Sequence, residues 1–131
     1  VNARALVKQL SVARLVVGAT FIAQPGRAAA GWIGADGQRP AVHVLARAFG
    51  ARDALVGGGT LQALKSGDPD ALRPWLVAGI VADVTDLAAT LLAGDSIPAG
   101  ARLGISIVAS SAVAVGAAAL ASGDDSSPVP A

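Results

Sequence analysis

The chain has no cysteine, and its single histidine is His43. Those two scarcities exclude a disulfide scaffold, a thiolate zinc site and bis-histidine haem ligation within the chain. Glutamate is also missing, so all nine acidic residues are aspartates, and lysine occurs only at Lys8 and Lys65. A soluble helical domain solvates its outer face largely with Glu and Lys, and this sequence has almost none to place there. Nor does charge of one sign accumulate. Ten basic residues against nine acidic ones leave a net charge of +1, far from the concentrated basic face of a nucleic-acid binder. What the chain does have is apolar: 53% of its 131 residues are hydrophobic, 15% are charged and the mean hydropathy is +0.60. Such a composition excludes disorder. It predicts a small helical membrane protein with membrane lipids around it.

A bilayer core of about 30 Å takes roughly 20 apolar residues in a helix. Four stretches meet that length: 5–24, 41–64, 73–93 and 101–121. Helix punctuation lies at their borders. Pro25-Gly26 closes the first stretch, and Pro40 opens the second at a first-turn position. Ser66-Gly67 ends the second, Asp68-Pro69-Asp70 reads as a cap, Gly94 closes the third, and Pro98 leads into the fourth. Strand alternation is absent. The expectation is an all-α polytopic membrane bundle of about four transmembrane helices in one domain, 1–121, with a flexible polar tail, 122–131.

Arg4, Lys8 and Arg14, the apolar run 15–23 and Ala28-Ala29-Ala30 imitate a secretory signal peptide with its cleavage site. The segment is expected instead to remain as the first helix. Trp32 falls in the first loop and Trp75 at the mouth of the third span, which puts one indole at each water–lipid boundary. Arg4, Lys8, Lys65 and Arg73 share one side and Arg27, Arg39 and Arg102 the other, a slight lean to a cytoplasmic N-terminus of a multi-pass cell-membrane protein.

The informative residues are charges inside the spans. Arg14, Arg52, Asp53, Asp83 and Asp86 lie within about one helical turn of their spans' midpoints, and Arg47 lies about 8 Å from its own. A central Arg or Asp costs about 3 kcal/mol to insert, so six unpaired ones cost about 18 kcal/mol. The large apolar residues of stretch 41–64 offset only about 3 kcal/mol of that. This stretch therefore inserts beside neighbours that neutralise it, or it lies partly in the interface. Helical phase favours pairing: Gly79, Asp83, Asp86 and Thr90 share a face, as do Gly50, Asp53 and Gly57. The expectation is a polar layer at mid-depth, with Arg14, Arg47 and Arg52 balancing Asp53, Asp83 and Asp86.

Other motifs are weaker. Gly57-Gly58-Gly59-Thr60 lacks the lysine and preceding strand of a phosphate loop, so it reads as a packing surface or a helix break. Gly50, Ala54 and Gly58 form a small-residue row for close helix contact, and Gly100 with Gly104 a second, intramolecular one. Ser106, Ser110 and Ser111 have no base nearby and suit hydrogen bonds to backbone or a facing helix. His43, one turn from Arg47, suits a snorkelling or loop contact. A metal could draw only on the aspartates, so neither metal nor cofactor is expected.

The segment from Ala46 to Gly59, with Gly50-x-Arg52-Asp53 at its heart, and the segment from Gly79 to Asp86, with Asp83-x-x-Asp86, together resemble a domain-of-unknown-function family of small four-helix integral membrane proteins met in actinomycetes and fungi. The likeness runs over roughly residues 8–120. It implies a polytopic bundle of about four spans and no particular activity. Arginine favoured over lysine, with abundant alanine, fits a GC-rich actinobacterial genome.

Three functions remain open. The first is a non-catalytic accessory or structural subunit that packs with other membrane subunits or with itself. The second is a small isomerase- or cyclase-type enzyme on a lipophilic substrate. Asp83 and Asp86 would be its acid and base, Arg52 or Arg47 would hold one of them ionised, and Asp53 would lie alongside. The third is an ion-coupled carrier that uses the same aspartates.

Overall fold

The computed structural model describes residues 2–124, and every regular element among them is helical. Four long helices, α1 (Ala3–Ala23), α3 (Pro40–Ser66), α4 (Pro69–Ala93) and α5 (Ala99–Asp124), form the body, with a short α2 (Pro25–Ile33) across one end. The final helix runs past the expected end at 121. The expected polar tail beyond Asp124 lies outside the described residues.

The helix ends follow local chemistry. The side chain of Asn2 caps α1 by accepting from the Arg4 backbone N–H at 2.9 Å, and Asp68 caps α4 by accepting from Asp70 at 2.9 Å. Pro25, Pro40 and Pro69 each stand in a first turn, where a missing N–H costs nothing. Gly67, at φ 73°, stops α3 in the left-handed conformation that glycine adopts freely. The expected first loop is instead mostly helical. Pro25 restarts a helix as readily as it stops one, Ala28-Ala29-Ala30 propagate it, and a 3-10 turn over Gly34–Gln38 finishes the connection. Trp32 accordingly sits in α2 and not in a loop.

Buried positions recur every three or four residues. On α1 they are Val7, Ser11, Arg14 and Gly18; on α3 they include Ala46, Gly50, Asp53, Gly57, Thr60 and Leu64. This is the heptad spacing of a seam that faces neighbouring helices. In cyclic order α1 packs on α3, α3 on α4, α4 on α5 and α5 on α1. Neighbours run antiparallel: Gly18 faces Gly50 while Gly57 faces Ser11, and Gly59 faces Trp75 while Arg52 meets Asp86.

The α1–α3 contact is close because it is made by glycine. A Cβ at Gly18 would stand 2.6 Å from the Gly50 carbonyl oxygen, and one at Gly57 would stand 2.6 Å from that of Ser11. Helix α3 runs unbroken through Gly57-Gly58-Gly59. Of the expected small-residue row, Gly50 and Ala54 lie in this contact, whereas Gly58 approaches only the tip of Leu15 at 3.8 Å. Gly100 and Gly104 are exposed with no neighbour within 4 Å, so the intramolecular contact expected of them is not made. Both lie on the flank of α5 opposite the face that Ala109, Ala112 and Gly116 bury.

The interior is layered. Val7, Leu64 and Leu76 form an apolar core at one end, and Phe21, Trp32 and Phe49 cluster at the other. Between them lie the buried polar residues Ser11, Arg14, Asp53, Thr60, Asp83 and Thr90, interleaved with buried Val56, Ala82, Ala109 and Ala112. The outer surface is the reverse. Val16, Leu45, Leu55, Val81, Leu92, Leu103 and Val108 are all more than half exposed. Among the described residues, three helices are long and apolar enough to cross a membrane: Ala3–Ala23, Pro69–Ser96 and Ala99–Gly123. Helix α3, with 27 residues, has the length, but Arg47, Arg52 and Asp53 in its middle deny it the hydropathy.

Candidate functional site

The polar layer is a chain of ion pairs running through α1, α3 and α4. The heptad phase of α1 points Arg14 inward, and glycine on its neighbours gives it room. Gly57 lies against its Cβ, and Gly79 presents a bare carbonyl beside its guanidinium. Nη1 of Arg14 donates to Asp53 Oδ1 at 2.8 Å, while Nη2 donates to Asp83 Oδ2 and to the Gly79 carbonyl oxygen at 3.4 Å. All three side chains are closed off, with Arg14 7%, Asp53 5% and Asp83 7% exposed.

Arg52, one residue before Asp53, leans to the flank. It forms a two-pronged pair with Asp86, Nη1 to Oδ1 at 3.0 Å and Nη2 to Oδ2 at 2.6 Å. Its Nη2 also stands 3.9 Å from Asp53 Oδ1, and its guanidinium lies 4.6 Å from the centre of the Phe49 ring. Asp53 thus touches both cations, and the sequence Asp83–Arg14–Asp53–Arg52–Asp86 is continuous.

Arg47 is not part of it. The residue is exposed, and its Nε donates to the Ile22 carbonyl oxygen at 3.3 Å. The heptad seam explains why: Ala46, Gly50 and Asp53 face inward, and position 47 lies about 100° around the helix from Ala46. The expected neutral balance is therefore corrected. Two guanidiniums face three carboxylates, a formal sum of −1 when all are ionised.

The layer ends in a link that spacing alone does not reveal. Trp32 Nε1 donates to Thr90 Oγ1 at 3.0 Å, and that hydroxyl donates to the Asp86 carbonyl oxygen at 2.7 Å. The indole also meets Phe49 edge-on at 5.1 Å and Phe21 at 6.4 Å. Trp32 and Trp75 do stand on opposite sides of the layer, but both are half-buried in helix contacts. Ser110 and Ser111 are exposed, and Ser106 Oγ is buried with no hydrogen-bond partner among the described residues, contrary to the expected pairing. His43 faces the α2–α3 connection beside Gly26 and Gln38.

Two cavities flank the layer. One of about 20 Å³ beside Arg14 and Asp83 is the size of a single water. The other, about 240 Å³, lies under the aromatic cluster, and Thr90 is its polar residue.

Fold and site together define a class: among the described residues, an all-helical bundle that buries Arg14, Asp53 and Asp83 at mid-height and turns many large aliphatic side chains outward, with three helices fit to cross a membrane. No family model matches the chain, and neither does any curated protein or solved structure.

Proposed function

We propose that the chain is a multi-pass protein of the cell membrane in which all four long helices cross the bilayer, serving as a non-catalytic accessory or structural subunit. The observation that carries this reading is the inverted distribution of polarity. Arg14, Asp53 and Asp83 are closed inside while Leu55, Leu92 and Val108 face outward, which suits hydrocarbon as solvent and not water. Helix α3 cannot enter lipid alone, so its Arg52 and Asp53 cross in company with Arg14, Asp83 and Asp86. The pairs then fix which helices associate and in what register, the best-attested role of buried ion pairs. This architecture agrees with the family likeness of the Gly50–Asp53 and Asp83–Asp86 motifs.

Each carboxylate of the layer is engaged by a guanidinium, and the space beside Asp83 admits about one water. That disfavours acid–base catalysis on a lipophilic substrate at Asp83 and Asp86. The outward aliphatic faces, and the open Gly100 and Gly104 on α5, suit lipid and other membrane helices as partners. The end with Arg4, Lys8, Lys65 and Arg73 faces the cytoplasm on this reading. Affinity purification of the tagged chain from its own membrane in mild detergent tests it. A second polypeptide, or a second copy, is expected to co-purify; a lone monomer overturns the subunit role.

A second reading, an ion-coupled carrier, draws on the odd carboxylate, since two guanidiniums facing three aspartates leave one charge to be met. Proton flux into liposomes that is lost in Asp83→Asn or Asp86→Asn would favour it over the subunit role.

A further inference from the structure

The cations at the two ends of the bundle are held differently. At the end near α2, Arg39 has Asp36 at 3.7 Å and Arg102 has Asp95 at 2.8 Å, while Arg27 stands exposed and apart from them. At the other end, a cleft of about 360 Å³ between the start of α1 and the end of α3 gathers Arg4, Lys8 and Lys65, and no acidic residue is among the described residues that line it. Its floor is apolar, made by Leu61 and Leu64. Arg4 is fixed there by donating from Nη2 to the Leu64 carbonyl oxygen in the last turn of α3. Lys8 and Lys65 meet neither a carboxylate nor a hydrogen-bond partner among the described residues.

Depth sharpens the point. Arg4 and Lys8 precede Arg14 along α1 by about 15 Å and about 9 Å at helical rise. With the ion-pair layer at the middle of a hydrocarbon core of about 30 Å, Arg4 lies at the headgroup boundary. Lys8 then lies just inside it, with its ammonium able to extend outward on its flexible stem. Three cations able to reach the level of lipid phosphate, over an apolar floor and with no carboxylate among the described residues that line the cleft, are matched by a group that is anionic above and aliphatic below.

We propose that this cleft binds the headgroup of an anionic phospholipid, with Lys8, Lys65 and Arg4 around the phosphate and an acyl chain descending along Leu61. The proposal rests on the membrane reading above. It places the bound lipid in the leaflet that carries the N-terminal end of α1.

Nanodiscs test it. The full chain is incorporated into discs of phosphatidylcholine alone or with one part in four of phosphatidylglycerol, and the lipids retained on gentle release are counted by native mass spectrometry. Phosphatidylglycerol should be retained in preference to phosphatidylcholine. Lys8→Gln and Lys65→Gln should each weaken that preference about fivefold, and the double variant roughly 20- to 30-fold, which is about 2 kcal/mol at 1.4 kcal/mol per decade. Arg27→Gln, at the opposite end, should leave it intact, and millimolar inorganic phosphate should not displace the lipid. Equal retention of the two lipids, an unchanged preference in the double variant, or displacement by inorganic phosphate would overturn the proposal. A chain that enters neither disc would overturn the membrane reading itself, and the proposal with it.

Discussion

Arg14→Met is the most informative single perturbation of the bundle. Methionine fills much of the arginine volume but withdraws the donors that serve Asp53, Asp83 and the Gly79 carbonyl oxygen. Asp83 is then left with no cation, and Asp53 keeps only the 3.9 Å approach of Arg52. Removing one partner of a buried ion pair costs about 3–5 kcal/mol, chiefly through the charge left behind. One guanidinium serving two closed-off carboxylates puts the expected loss at the upper end, about 5 kcal/mol, a large part of the roughly 5–15 kcal/mol that stabilises a typical domain. The assay is unfolding in mixed micelles by increasing dodecyl sulfate, followed by far-ultraviolet circular dichroism. Neutralising the stranded carboxylates in Arg14→Met, Asp53→Asn, Asp83→Asn should restore most of the loss, because an ion pair replaced as a unit is close to neutral in stability. The triple variant should therefore be more stable than the single one. A loss below about 1 kcal/mol for Arg14→Met, or a triple variant no better than the single, would refute the reasoning.

Other perturbations separate the remaining parts. Gly57→Val drives a side chain into the Ser11 carbonyl oxygen and should lose about 1–3 kcal/mol in the same titration, whereas Gly104→Ala meets nothing and should be neutral or gain up to about 1 kcal/mol. Trp32→Phe keeps the aromatic packing but removes the 3.0 Å bond to Thr90, and should lose about 1 kcal/mol. Arg47→Leu removes an exposed charge held by one 3.3 Å bond, so folded stability in lipid should stay level or rise. A loss for Arg47→Leu as large as that for Arg14→Met would put Arg47 back inside the layer.

The helical class and the borders of the long helices were legible because proline, glycine and capping Asp act through local geometry alone. Pro40, Gly67 and Asp68 stand where such residues are expected. The same local logic misled at Pro25-Gly26, since a proline ends one helix and starts another, and only the sequence beyond it decides. Five residues of the ion-pair chain were readable from depth and helical phase. Arg47 was misplaced because depth was weighed without phase: it lies less than two turns from Arg52, yet it points to the outside. The Trp32–Thr90 link was not legible, because it depends on α2 folding across the bundle end and on a contact between residues 58 apart. Gly57 outranks Gly58 for a related reason. Both fit a small-residue pattern, and only the crossing geometry of α1 and α3 selects which one is pressed against backbone.

The absence of cysteine allows the central claim to be measured directly, since any introduced thiol is the sole labelling site. Val12, Leu55, Val84 and Val108 face outward from the four long helices at about the height of the ion-pair layer. Each is replaced singly by cysteine and carries a nitroxide label in a lipid vesicle. Collision with oxygen, which concentrates in hydrocarbon, is then compared with collision with a water-soluble nickel complex. All four labels should be accessible to oxygen and shielded from nickel, with Leu55 matching the other three even though its helix carries Arg52 and Asp53. A label at Leu55 as accessible to nickel as one at Gly67 would place α3 in water, and the account of charges paired in mid-membrane would be wrong.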